Sequence, residues 1–390
     1  MRLNDLRGRV AIAGVGQEGL GEAQGFTEQE ILSRAALNAV KDAGLSLKDI
    51  DGITTCSSLS TMWVMPVIEY LGIRPTFIDS TMIGGSSYVA HLLPAIHALE
   101  SGQCNAVLVC YGSTQRTAAF NRAELTRVRK VMDPQPFETP YDAPMPVAAY
   151  ALAAQRHMHQ YGTTRKQLAE VAVAARKWAQ RNPEAVLRGD LGIDDVIHAR
   201  PVAEPFTVRD CCMVSDGAGA YVLTRADRAR DLAKKPVYVL GNATACWNRQ
   251  VSSMEDLTVT AASESGRRCF EMAGYGAKDA DLAMLYDAFT INTILFLEDL
   301  GFCAKGEGGA FVDDGAIAPG GRLAVNTNGG GLSCVHPGMY GVFLMIEAVR
   351  QLRGECGQRQ LNDPHLAVVH GNGGTLSSQS TALLGTEQTL

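Results

Sequence analysis

LAVNTNGGGLSCVHPGMYGVFLMIEAVRQLRG, residues Leu323–Gly354, carries the clearest local pattern in the chain. The apolar run Leu323 to Val325 predicts a strand. Three consecutive glycines, Gly329 to Gly331, come next, followed by His336, Pro337 and Gly338 and then a long apolar segment that stops at Gly354. The order is strand, glycine turn, histidine, buried helix. Consecutive glycines let a backbone approach a ligand closely or take positive φ. A histidine at the mouth of such a turn can donate to an oxyanion or move a proton. Tyr340, four residues further on, is expected on the first turn of the helix.

Working outward, the chain has 390 residues, enough for two domains or one large duplicated α/β domain. Hydrophobic residues make up 46% and charged residues 19%, a globular balance that can bury a large core without disulfide or metal staples. Net charge is −6 with no long basic run, which argues against nucleic acid as a partner. The ten cysteines form no CxxC pair, and several, such as Cys110, lie in apolar runs. They read as reduced, buried thiols. MRLNDLRGRVAIAGVG lacks a signal-peptide pattern, and no apolar run approaches the ~20 residues of a membrane span. A cytoplasmic protein without membrane contact is expected.

RVAIAG (Arg9–Gly14) predicts a strand, and Gly14 to Gly19 match GxGxxG. A dinucleotide site needs that motif to open a helix directly. Gly21 and Gly25 interrupt here, and the better helix start is the capping box Thr27-Glu28-Gln29-Glu30, with Gly44 closing the helix. Residues 14–19 therefore read as a glycine-rich loop and only weakly as a nucleotide site. Strands are expected at Ile53–Thr55, Thr76–Asp79 and Ala106–Cys110, with a helix from Ser87 to Leu99. Ile83-Gly84-Gly85-Ser86 turns into that helix, where free N–H groups and the positive dipole end lie.

From Ser113 to Phe206 prolines and polar residues cluster, then helices are expected at Val147–Tyr161 and Arg165–Arg181, with no strand. His157 and His159, two apart on a helix, cannot face one metal together and read as packing or surface residues. Strands follow at Asp216–Thr224, Val237–Leu240, Leu282–Phe289 and Leu366–Val369, and helices within Met254–Met272 and over Thr290–Leu300, for which Asp287 is the expected N-cap. Ser380–Leu384 should be an edge or hairpin strand. Phe77–Cys110 parallels Val325–Val369, so the chain reads as an internal duplication of a βαβ-rich unit.

These residues resemble the thiolase superfamily, in particular its sterol-carrier-protein thiolase-like branch, over nearly the whole chain. Cys212-Met213-Val214-Ser215-Asp216-Gly217-Ala218 is similar to the CPxSDGA segment, with Met213 for the proline. Tyr286-Asp287-Ala288-Phe289 stands at NEAF, Gly330–Pro337 at GG…GHP with Val335 for a glycine, and His370–Gly374 at CxGGG. The resemblance implies an α/β five-layer αβαβα fold from two similar halves. These are residues 1–112 with 207–230, and 231–390, with a mostly helical loop domain inserted over 113–206.

The same alignment shows what is missing. The nucleophilic cysteine of thiolases falls on Gly84, which cannot carry an acyl group. His370 replaces the second cysteine, and Tyr286 the asparagine of NEAF. His336 remains where thiolases stabilise a thioester oxyanion. Two phenols beside an oxyanion site suit retro-aldol cleavage of a β-hydroxyacyl-CoA. The cysteine-less steroid side-chain aldolases match this pattern. That resemblance implies cleavage of a 17-hydroxy steroid-20-carboxyl-CoA to a 17-ketosteroid and propionyl-CoA. It also implies a homodimer in complex with a small OB-fold, zinc-ribbon protein, and no cofactor beyond the CoA of the substrate. Carried over residue by residue, Tyr286 and Tyr340 are the acid/base pair, with their order open, and His336 stabilises the enolate. His370 is a further catalytic candidate. Gly84, Gly85, Ser86 and Gly373 are candidates for binding substrate, the two glycines by leaving room where the cysteine side chain would sit. Cys334 reads as packing. A thiolase-type acyltransferase using another cysteine and a non-catalytic thiolase-like subunit are the competing readings.

Overall fold

Among the described residues twelve strands follow one another: β1 Val10–Gly21, β2 Gly52–Thr54, β3 Phe77–Asp79, β4 Ala106–Ser113, β5 Pro201–Ala203, β6 Phe206–Thr207, β7 Asp216–Arg225, β8 Val237–Cys246, β9 Leu282–Leu285, β10 Ala324–Val325, β11 Leu366–Gly373 and β12 Ser378–Gly385. They come from a computed structural model that describes residues 3–118 and 136–390. The part of the proline-rich run at residues 132–135 lies outside the described residues.

Ten of the strands pair in the order β3-β2-β4-β7-β1-β8-β12-β11-β9-β10. The two halves of this order repeat each other. β2 runs parallel to β3 and β4, β4 is antiparallel to β7, and β7 to β1. In the second half β9 runs parallel to β10 and β11, β11 is antiparallel to β12, and β12 to β8. The two sets of strands pair with each other where Ala11 meets Tyr238 and Ile12 meets Val237. The duplication expected from Phe77–Cys110 and Val325–Val369 is therefore a duplication of strand order and direction.

Helices Ser87–Ala90, Leu92–Glu100 and Gly341–Arg353 lie between the two sets of strands and touch both. Gly341–Arg353 is buried on every side apart from Arg350, as a helix sandwiched between sheets must be. Its Glu347 is held by Arg359 (2.9 and 3.0 Å) and by the Thr327 hydroxyl (2.7 Å), so no buried charge is left alone. Helices Glu28–Asp42 and Ala262–Ala273 cover the outer faces. The layers are helix, sheet, helix, sheet, helix, the thiolase fold.

Several sequence expectations change here. Gly14–Gly19 is the middle of β1 and no loop. A Cβ on Gly14 would come within 2.2 Å of the Ala39 carbonyl, and one on Gly16 within 2.4 Å of Ala35. The glycines let helix Glu28–Asp42 press onto the strand, which leaves no nucleotide loop. Gly241 of β8 does the same for helix Ala262–Ala273, 2.2 Å from the Cys269 carbonyl. The capping box of Thr27 with Glu30 is present as expected. β12 forms a hairpin with β11, one of the two alternatives expected, and is interior rather than an edge strand, flanked by β11 and β8. The insertion contains a small hairpin, β5 with β6, where no strand was expected, besides helices Val147–Tyr161, Arg165–Gln180 and Ile193–Ile197. No helix of the described residues is long and apolar enough to cross a membrane.

Candidate active site

The first-half turn at Gly84–Gly85 and the residues after the second glycine turn meet around Tyr286. β9 ends at Leu285, so Tyr286 to Phe289 leave the sheet as a connection to helix Thr290–Asp299 rather than continuing the strand. Phe289 is the N-cap of that helix, and Asp287 is not. Asp287 instead turns under the second glycine turn and accepts the N–H groups of Gly331 (2.7 Å) and Leu332 (3.4 Å). Charge-assisted bonds of this kind contribute roughly 1.5–3 kcal/mol each. Burial still pushes the Asp287 carboxyl up to about 7. The turn Gly330–Cys334 is wider than an α-helical one, because the Val335 N–H reaches back to the Gly330 carbonyl.

His336 follows this turn and is clamped through its backbone. Its N–H donates to Ser215 Oγ (2.9 Å), and the Ser215 N–H donates to its carbonyl (3.4 Å). The Tyr111 hydroxyl donates to the Pro337 carbonyl and accepts the Met339 N–H. Asn182 of the insertion donates to the Asn328 carbonyl (2.9 Å), and Arg176 to Ser333 Oγ (3.0 Å), so the inserted segment braces the turn. Tyr111 and Asn182 carry no motif that would have singled them out. Ser215 lay inside one but has no role there that spacing alone reveals.

The Tyr286 phenol lies directly over Gly85. A Cβ on Gly85 would sit 2.3–2.5 Å from the ring and hydroxyl. The expected empty room is thus filled, by Tyr286 itself. The Tyr286 oxygen accepts the Tyr340 N–H (3.2 Å) and lies 3.1 Å from His336 Nε2. The rings of Tyr286 and Tyr340 stand edge to face, 5.7 Å apart. His336 is 8% exposed, and burial pushes its imidazole down to about 4, while its own backbone carbonyl pulls the other way. In the neutral tautomer that carries its proton on Nδ1, Nε2 is the acceptor of the Tyr286 O–H. Burial also holds both phenols well above their ordinary value, so they rest neutral. Tyr340 stands just before helix Gly341–Arg353 rather than on its first turn, and its hydroxyl donates to Asn328 Oδ1 (2.9 Å).

The remaining candidates are placed as follows. Gly84 has φ +82, and a Cβ there would lie 2.7 Å from the Gly374 nitrogen and 2.8 Å from Gly373 Cα. A Cβ on Gly373 would in turn strike the Ile83 carbonyl at 1.9 Å. Both glycines serve the close approach of β11 to the first-half turn. The Ser86 hydroxyl points into the same seam, on Ser378 Oγ (2.6 Å) and the Ile83 carbonyl (3.2 Å). His370 is part of β11 and not of a turn. Its carbonyl accepts the Tyr286 N–H (3.0 Å), but its ring faces away. Nδ1 meets Thr381 Oγ1, Nε2 meets Gln379 Oε1, both at 2.9 Å, and Phe296 packs edge-on. Side chains alternate along a strand. Gly371 therefore faces Ser86 while His370 faces the other way. His157 is also buried, bonded to Glu298 (3.0 Å) and Thr163 (2.8 Å), a packing role as expected.

A fold of two thiolase halves around this cluster places the chain: it belongs to the thiolase superfamily, in the sterol-carrier-protein thiolase branch, and it is a carbon–carbon lyase of aldolase type. Residues 243–386 match the thiolase C-terminal domain-like family. The 17-hydroxy-3-oxo-4-pregnene-20-carboxyl-CoA lyase of Mycobacterium tuberculosis is 34% identical over 94% of this chain and 97% of its own length. The steroid side-chain-cleaving aldolase of Thermomonospora curvata is 32% identical over 94% and 96%. The solved Ltp2-ChsH2(DUF35) aldolase superposes with a TM-score of 0.89 at 30% identity, covering 98% of this chain and 99% of that one. An acetyl-CoA acetyltransferase of Methanothermobacter thermautotrophicus is 33% identical over 94% and 96%. Identity alone hardly separates lyases from acyltransferases here.

Proposed function

We propose that this protein cleaves a 17-hydroxy steroid-20-carboxyl-CoA by a retro-aldol reaction to a 17-ketosteroid and propionyl-CoA. The observation that carries the reading is the Tyr286 phenol seated over Gly85 and hydrogen-bonded to a neutral His336, with no thiol at that turn. Tyr286 takes the proton of the β-hydroxyl as its own proton passes to His336 Nε2. The Cα–Cβ bond breaks, the hydroxyl carbon becomes the ketone, and the bonding pair forms the acyl-CoA enolate. The imidazolium made in the same step stabilises that enolate. Tyr340 protonates Cα, and the resting neutral groups are restored as the products leave, when His336 gives up its extra proton to solvent and the Tyr340 phenolate takes one back. Tyr286 is thus the base and Tyr340 the acid. His370 positions Tyr286 through its carbonyl, and Gly84, Gly85, Ser86 and Gly373 shape the seam around the thioester.

The CoA arrives with the substrate, and the chemistry asks for no other cofactor. The working assembly is a homodimer with a small OB-fold, zinc-ribbon partner, in line with the DUF35 component named in the Ltp2-ChsH2 structure. β3 is the outermost strand of its half, and Ile78 on it is 51% exposed, with Met62, Met65 and Met82 exposed on neighbouring segments. An apolar edge of that kind favours pairing with a second copy. Ten free cysteines suit a cytoplasmic location. The test is to co-purify the chain with its OB-fold partner, supply the steroid thioester, and follow both products by mass spectrometry. Acyl transfer from acetyl-CoA without any cleavage would overturn the proposal.

Two results are expected from this reading. First, the chain shows no acetyl adduct by intact mass after incubation with acetyl-CoA. Cys334 is buried and Cys212 half-buried, and desolvation pushes the ionisation of both thiols far up. A stable adduct on Cys334 would favour the acyltransferase instead. Second, kcat/KM holds through pH 6.5 and falls only near pH 4, because Tyr286 needs an unprotonated Nε2 and His336 titrates at about 4. A pH–rate profile with circular dichroism at each pH checks this. An acid limb near the ordinary imidazole value of about 6.5 counts against His336 as the acceptor.

A further inference from the structure

Residues 326–328 are each tied by a side chain to a different part of the site. Asn326 Oδ1 accepts the Leu285 N–H (2.7 Å) at the end of β9, just before Tyr286. The Thr327 hydroxyl donates to Glu347 (2.7 Å) in the central helix. Asn328 Oδ1 accepts two donors at once, the Gly330 N–H and the Tyr340 hydroxyl, both at 2.9 Å. The Gly330 N–H can only donate, so the atom facing it is the amide oxygen. The same oxygen then must receive the Tyr340 proton. Asn328 is itself held from behind by Asn182 at its carbonyl (2.9 Å). Tyr340 has no other side-chain hydrogen bond among the described residues.

We infer that Asn328 is the positioning residue of Tyr340: it fixes the phenol oxygen in place and parks the phenolic proton away from the Tyr286–His336 pair until the enolate forms. This rests on the reading of Tyr340 as the acid. Without Asn328 the Tyr340 hydroxyl can rotate toward neighbouring acceptors, and Cα protonation loses its fixed donor. The effect falls on the chemical step and not on binding, because the Asn328 side chain is spent on Gly330 and Tyr340.

The test is a double-mutant cycle on the protein with its OB-fold partner. Asn328→Ser keeps an oxygen near the Gly330 N–H, since serine closes the same two-residue turn, but its side chain is too short for Tyr340. Asn328→Ser is expected to lower kcat at least about 10-fold with KM within about 3-fold, as loss of an interaction confined to the chemical step requires. In a Tyr340→Phe background the same change is expected to shift kcat by less than about 2-fold. Asn328→Asp, which keeps an acceptor for both donors, is expected to lie closer to wild type than Asn328→Ser. Equal losses from Asn328→Ser in both backgrounds, or a wild-type kcat, overturn the inference. If Tyr340→Phe turns over too slowly to be read, deuterium exchange from D2O into Cα of propionyl-CoA decides. Slowing by at least about 10-fold in Asn328→Ser supports the inference, and an unchanged rate rejects it. Failure of the proposed function is a separate outcome: Tyr340→Phe cleaving at the wild-type rate removes Tyr340 from catalysis, whereas an impaired Tyr340→Phe beside an unimpaired Asn328→Ser removes only Asn328.

Discussion

Tyr286→Phe is expected to yield a folded protein whose kcat/KM for the β-hydroxyacyl-CoA is lower by about 10²–10⁴-fold, the range of a lost general base. The hydroxyl ties the Tyr286 segment to the residues after the second glycine turn: it accepts the Tyr340 N–H and faces His336 Nε2. Phenylalanine keeps the ring over Gly85 and its edge-to-face contacts with His336 (5.6 Å) and Tyr340. It removes the oxygen through which, in the proposed mechanism, the substrate proton is relayed to His336. Two buried groups lose a partner, at roughly 1–3 kcal/mol each, against a folding free energy of about 5–15 kcal/mol. Steady-state kinetics beside thermal denaturation separate the two effects. A variant that is folded and within threefold of wild type would show that Tyr286 is a packing residue.

Gly330→Ala should have the largest effect on stability. Gly330 has φ +66, and a Cβ there would lie 1.9 Å from Asp287 Oδ2. The left-handed backbone alone costs a non-glycine residue about 1–3 kcal/mol. The methyl group also drives out the Asp287 carboxylate, with the loss of charge-assisted bonds to Gly331 and Leu332 worth roughly 1.5–3 kcal/mol each. A loss of at least ~4 kcal/mol is expected, or failure to accumulate folded protein. Gly320→Ala is the control. Its φ is +87, but nothing lies within 4 Å of a Cβ, so it meets the backbone penalty alone. Denaturant unfolding of both variants measures the difference. Equal losses would mean that Asp287 does not brace the turn through close contact.

These two residues also show where sequence reading stops. Tyr286 was visible as the odd residue in a motif, and its partners His336 and Tyr340 as neighbours in another. That Gly85 is the floor under its ring could not be read, because the two lie in different halves of the duplication. Asp287 was misread as a helix cap, since an acid a few residues before a helix is a local pattern, whereas its real partners are N–H groups of a distant turn. His370 was matched to a motif position, yet one step along β11 separates a side chain facing the seam from one facing Phe296. The glycines of β1 read as a loop because their cause, a helix pressed onto the strand, is absent from the local pattern.

Chain-local physics determined the rest. Capping at Thr27, the strand and helix segments, the two glycine turns and their repetition follow from propensities and periodicities that act between near neighbours in sequence. They were enough for the duplicated α/β architecture and for the absence of a cysteine at position 84. The meeting of Tyr286, His336 and Tyr340 and the hold of Asn328 on Tyr340 are decided by packing within the second half, and the seat of the Tyr286 ring over Gly85 by the packing of the two halves. Contacts of a few ångströms between distant segments depend on which face of each strand and turn points inward, and only the assembled tertiary structure sets that.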